Sequence, residues 1–144
     1  MNPASAAVGG AATFVWLGMV LAISFLEAPL KFRAPGVTIP IGLGIGRLVF
    51  RALNAAEAVL AVVVIAAVAT GSPGPAVVAL TALAAAVLVV QIAAVRPPLN
   101  RRSDRVLSGE DPARHRSRAH LYYVALEAVK VLSLLALGCF LQAV

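Results

Sequence analysis

Four long apolar stretches, separated by short connections that are polar or rich in proline and glycine, set the pattern of the chain. They run over about residues 11–30, 48–70, 75–95 and 119–144. Each has about 20 residues or more, enough to cross a hydrocarbon core of ~30 Å at ~1.5 Å per residue. The pattern predicts an all-α fold, a polytopic membrane protein built as an antiparallel bundle of four transmembrane helices in a single membrane domain, 1–144. No Lys or Arg precedes the first stretch, and it is longer than the apolar part of a signal peptide, so it reads as a span.

The connections differ in kind. Span one is expected to end near Pro29. The segment that follows, "KFRAPGVTIPIGLGIGR", holds two prolines and four glycines with apolar residues between them. It is too apolar for an ordinary solvated loop, and is expected to lie in the interface or fold back on the bundle. "GSPGP" predicts a tight turn with Pro75 opening the next helix. At "RPPLN" the prolines are expected to stop span three. Residues 96–118 then form a polar basic arm with a short helix around Ser103–Leu107.

Composition supports this reading. The chain is 61% hydrophobic and only 12% charged, where a soluble domain has about a quarter charged. The formal net charge is +6. Seven arginines lie between Arg96 and Arg118, and Lys31, Arg33, Arg47 and Arg51 flank the first connection. By the positive-inside rule both basic connections are cytoplasmic and both termini outside, in a bacterial-type plasma membrane. Basic residues beside spans point to anionic lipid headgroups as counterions, at ~1 kcal/mol each, and not to nucleic acid. With one cysteine, Cys139, no internal disulfide can form.

The candidate chemistry lies in the polar residues inside the spans. Glu27 is near the inner end of span one, Glu57 about three turns into span two, Gln91 near the inner end of span three, and Glu127 about two turns into span four. In an antiparallel bundle all four fall at similar depth, which predicts a shared polar layer. Arg116, His120, Tyr123, Glu127 and Lys130 are spaced four, three, four, three, so they share one face. Lys130 is ~16 Å into its span, too deep to snorkel easily, and needs Glu127 or Glu57 as partner. Arg47, Arg51 and Asn54 form a neighbouring stripe on span two; Ser24, Glu27 and Lys31 form one on span one. Taken singly, His120 is most simply an interfacial histidine, and Trp16, Tyr122 and Tyr123 belt or packing aromatics.

Other chemistries fit less well. A di-metal carboxylate bundle needs Glu-x-x-His pairs, which are missing, so no metal site is expected. No Ser-His-Asp, Cys-His or zinc-ligand spacing occurs. "GLGIGR" resembles a phosphate loop only superficially, since the preceding strand and the lysine are absent. Amides exposed at a helix start around Gly44 and Gly46, with Arg47, Lys31 and Arg33 nearby, could still hold an anion or headgroup.

The segments "WLGMVLAISFLEAPLKFRAPG" and "RLVFRALNAAEAVLAV" resemble the start of the transmembrane protein 205-like family of small membrane proteins, through Trp16, Gly18, Phe25, Phe32, Arg33 and Phe50. "VRPPLN" and "RSRAHLYYVALEAVKVL" resemble that family's Arg-Pro arm and His-containing last helix, through Arg96, Pro97 and His120. Glu57, Glu127 and Lys130 depart from the pattern. The resemblance implies a four-helix membrane bundle and little about mechanism.

Three functions compete. The first is a cytoplasm-facing polar pocket that binds or moves a small ion or polar solute, with proton linkage through Glu57 and Glu127, tuning by Lys130 and Arg51, and a Glu27–Lys31 gate. The second is a membrane enzyme or binding protein acting on a lipid or isoprenoid phosphate, held by Arg47, Arg51 and the glycine connection. The third is a structural subunit in which the charges only staple helices. No cofactor is identified by the sequence. Four spans are few for a transporter, which leaves room for a homodimer.

Overall fold

In the computed structural model, residues 1–111 and 118–144 are described. Their four long helices are α1 (Pro3–Lys31), α2 (Ile39–Thr70), α3 (Pro75–Leu107) and α4 (Arg118–Gln142), each long and apolar enough to cross a membrane. The chain is an all-α integral membrane protein. Each helix packs on its neighbours in chain order, and α4 closes the ring against α1.

The helix starts follow from capping. Asn2 Oδ1 accepts from the Ser5 amide at 2.9 Å, with Pro3 in the first turn. The Asn2 amide also bonds Gly71 O at 3.2 Å, tying the amino terminus to the turn between α2 and α3. Thr38 Oγ1 accepts from the Ile41 amide at 3.4 Å and starts α2 with Pro40 beside it. The chain reverses between α1 and α2 at Gly36, whose φ of 81° suits a residue without Cβ.

Three expected boundaries are corrected. First, α1 begins at Pro3, eight residues before the expected start. Second, "GLGIGR" is not a loop, because the Thr38 cap puts it inside α2. A glycine costs ~1 kcal/mol in a helix, but in a low-dielectric setting each unbonded amide costs more. Third, Pro97 and Pro98 do not stop α3, which runs on to Leu107 and absorbs most of the expected arm and its short helix. The reason is a wide π-type segment, Gln91–Val95, in which the Arg96 amide bonds Gln91 O five residues back. It relieves the clash a proline ring makes with the preceding turn. Leu21–Glu27 does the same before Pro29, with the Ala28 amide bonding Ile23 O.

The bundle is layered along its axis. At the end holding the termini, Trp16, Val20, Val64, Ala84, Leu134 and Leu137 form a close-packed apolar core. A buried polar layer comes next, and a cavity opens at the basic end. Leu48, Val62 and Leu132 point outward.

Packing, not transfer from water, holds such helices together in lipid. Leu137→Ala should therefore lower unfolding stability in detergent by about 2 kcal/mol or more. Leu132→Ala, with its side chain facing out, should stay within about 0.5 kcal/mol. Thermal or denaturant unfolding of the two purified variants checks this.

Candidate functional site

All four helices contribute to the buried layer. Lys130 is fully buried; its ammonium group donates to Glu57 Oε1 and to Gln91 Oε1 at 2.8 Å, and forms an ion pair with Glu127 Oε2 at 3.2 Å. Both partners named from the sequence are thus engaged. Glu57 also accepts from Trp16 Nε1 at 2.9 Å. Glu127 also accepts from Ser24 Oγ at 2.8 Å and Gln91 Nε2 at 2.5 Å. With the Asn54 amide oriented to satisfy both ends, its nitrogen donates to Glu57 Oε2 at 3.2 Å and its oxygen accepts from Arg96 Nε at 3.0 Å.

This arrangement balances charge. Glu57 and Glu127 supply two negative charges; Lys130 and Arg96 supply two positive ones. Glu57, Gln91, Glu127 and Lys130 are each at most 1% exposed, so the layer seals the middle of the bundle. Such a cluster costs several kcal/mol per ion to desolvate, and is tolerable because Lys130 is paired with both carboxylates and Arg96 reaches Glu57 through the Asn54 amide.

The structure brings together Glu57, Gln91 and Glu127, three of the four residues expected at one depth, with Lys130 as their partner, and Asn54, expected on a neighbouring stripe, joins them. Glu27 is not in the layer. It is half-buried on α1 and pairs with Lys31 at 3.5 Å, because the π segment and Pro29 lie between the layer and the helix end. Arg51 is exposed, and Arg96 takes the place beside the carboxylates that was expected for it. Arg33 and His120 are exposed. Arg116 lies outside the described residues. Of the two readings of Trp16, belt or packing, the structure shows packing: it is 1% exposed in the core, and it also donates into the layer. Gly44 and Gly46 sit within α2, where helix bonding occupies their amides, so they offer no anion cradle. Their neighbourhood has another use. A Cβ on Gly46 would come within 2.7 Å of Lys31 Nζ, and one on Gly42 would strike the Phe32 ring, so these glycines make room for the end of α1.

Below the layer, at the basic end, is a cavity of about 480 Å³. Lys31 and Phe32 line it from α1, Arg47 and Phe50 from α2, Arg96 and Arg102 from α3, and His120, Tyr123 and Glu127 from α4. Glu127 thus belongs to both the layer and the cavity floor. Lys31 Nζ lies 5.7 Å and 5.5 Å from the centroids of Phe32 and Phe50. The Arg96 guanidinium lies 4.8 Å and 5.4 Å from those of Phe50 and Tyr123. These are cation–π distances. Arg47 pairs with Asp104 at the rim, holding the basic ends of α2 and α3 together. Among the described residues, no three His, Cys, Asp or Glu side chains gather as metal ligands would.

Removing one partner from a buried, hydrogen-bonded ion cluster leaves a charge uncompensated. Lys130→Met should therefore cost about 3–5 kcal/mol of unfolding stability, and the exposed Arg51→Met less than about 0.5. Adding Glu57→Gln to Lys130→Met should recover part of the loss, a coupling of about 1–3 kcal/mol in a double-mutant cycle of unfolding in detergent.

No family model matches the chain, and neither a curated protein nor a solved structure matches it.

Proposed function

We propose that the protein is a membrane-embedded binding protein that takes an anionic ligand into the cavity at its basic end. One observation carries this reading. The cavity is lined by Lys31, Arg47, Arg96 and Arg102, and among the described residues Glu127 is the one carboxylate in its lining. The layer takes up Arg96, and Glu27 and Asp104 pair with Lys31 and Arg47, which leaves Arg102 as the lining cation without a carboxylate among the described residues. The closed layer also argues against a continuous ion path through the bundle, since Glu57 and Lys130 are both sealed from solvent. Glu57 and Glu127 serve here as the anchored floor of the site, not as a proton wire.

By the positive-inside rule the cavity faces the cytoplasm and both termini lie outside. In a Cys139→Ser background, a membrane-impermeant maleimide should label Ser72→Cys in intact cells. Ser108→Cys, whose parent residue is also exposed, should label only after the cells are opened. The reverse pattern inverts the topology.

Anion binding has its own test. Purified protein should gain thermal stability with anionic but not neutral amphiphiles of matched chain length. Arg47→Gln together with Arg102→Gln should weaken that binding about tenfold or more, roughly 1.4 kcal/mol. Proteoliposomes that conduct protons in a Glu57-dependent manner, with no anion binding to the purified protein, would overturn the reading.

A further inference from the structure

We infer that the cavity is built for the headgroup of a lipid that carries one net negative charge, a phosphodiester lipid, with its chains leaving toward the bilayer. This rests on the anion-binding reading and narrows it.

The first support is the charge count around the cavity. Lys31 is paired with Glu27, and Arg47 with Asp104. Lys130 pairs with both Glu57 and Glu127, and Arg96 faces the same carboxylates at longer range across the Asn54 amide. Among the described charged residues that line the cavity, Arg102 is left without a carboxylate partner. One surplus cation matches a monoanion.

The second support is a set of buried donors that are not fully used. Arg96 Nη2 and Arg102 Nε make no hydrogen bond among the described residues, and the Tyr123 hydroxyl lies beside Arg96 and Ser24 without a well-formed bond to either. All three residues line this cavity, and Tyr123 is only 7% exposed. A buried, unmade hydrogen bond costs about 1–3 kcal/mol. Two guanidinium N–H groups and a phenol offer what the oxygens of a phosphodiester accept.

The third support is the wall. Phe25, Pro29, Phe32, Leu99 and Val124 line the same space. Phe25, Phe32 and Val124 are 44%, 41% and 42% exposed, so the apolar wall continues onto the lipid-facing surface. α1 packs on α2 and α4 mainly through Pro3–Val20, which leaves its last turns apart from the start of α4. A free inorganic anion has no use for that wall, whereas an acyl or prenyl chain does. The volume falls in the range of about 300–1,000 Å³ usual for organic ligands.

The test uses the full chain in mild detergent, with lipid binding read by native mass spectrometry. The probes are dioleoyl phosphatidylglycerol, dioleoyl phosphatidylcholine and inorganic phosphate. Phosphatidylglycerol should bind at least tenfold more tightly than phosphatidylcholine, whose choline meets a cationic rim. Arg102→Gln should weaken it about tenfold. Tyr123→Phe keeps the ring against Phe50 and should weaken it about fivefold, with unfolding temperature nearly unchanged. Arg105→Gln, exposed and outside the cavity, should leave binding as it was. Equal binding of the two lipids, or no effect of Arg102→Gln and Tyr123→Phe, would overturn the inference. Inorganic phosphate binding as tightly as phosphatidylglycerol would overturn the lipid assignment and leave the anion site standing. Binding of none of the probes would overturn both.

Discussion

A lysine ammonium held between two carboxylates in the middle of an apolar bundle is the constraint from which the rest follows. Lys130 cannot reach water, so Glu57 and Gln91 must approach it from α2 and α3, while Glu127 reaches it from its own helix. Each of those side chains then needs its remaining bonds made, which recruits Trp16 and Ser24 from α1 and Asn54 from α2. The network fixes the rotation of all four helices about their axes, something a uniform surface of Ala, Val and Leu would not do.

The cluster also explains why the two halves of the bundle differ. On the side of the termini the helices interdigitate tightly around Trp16, Leu134 and Leu137. On the basic side, α1 and α3 pass through their π segments just beyond or within the layer. Helix geometry changes there, and the last turns of α1 separate from α4. Lys31 and Phe32 can still lie close to α2 because Gly46 and Gly42 present no side chain. The cavity is the space left by that divergence, with the polar layer as its floor.

Much of this was legible in the sequence, for identifiable reasons. A charged residue inside an apolar run is conspicuous, and helical spacing fixes its depth, so Glu57, Gln91 and Glu127 could be set at one level, and Lys130 given Glu57 or Glu127 as partner, without coordinates. Trp16 was hidden by a boundary. With the span starting near residue 11 it sits at the membrane edge, but with α1 starting at Pro3 it sits near mid-helix. Arg96 was hidden by the prolines after it, which read as the end of a span. Hydropathy alone does not reveal that a π turn lets a helix run through a proline, although a proline following a long apolar run is the signal to look for. Glu27 shows the opposite error. Its depth suggested the layer, yet its direction is set by that wide turn, and its neighbour at i+4, Lys31, satisfies it first.

Charge neutrality links the layer to the mouth. Had the layer carried surplus negative charge, the arginines of α3 would be spent as its counterions, and the basic end would be only an anchor to headgroups. Glu57, Glu127, Lys130 and Arg96 close their own balance, and Glu27 and Asp104 each take one further cation. Among the described residues, Arg102 therefore lines an aromatic and aliphatic pocket with no carboxylate partner and no hydrogen bond to its Nε. In a low-dielectric setting a cation so placed is expensive unless something negative comes to it. The space around it is bordered by Phe25, Phe32 and Val124, which are exposed on the outer face of the bundle, and that is why the proposed partner is a lipid.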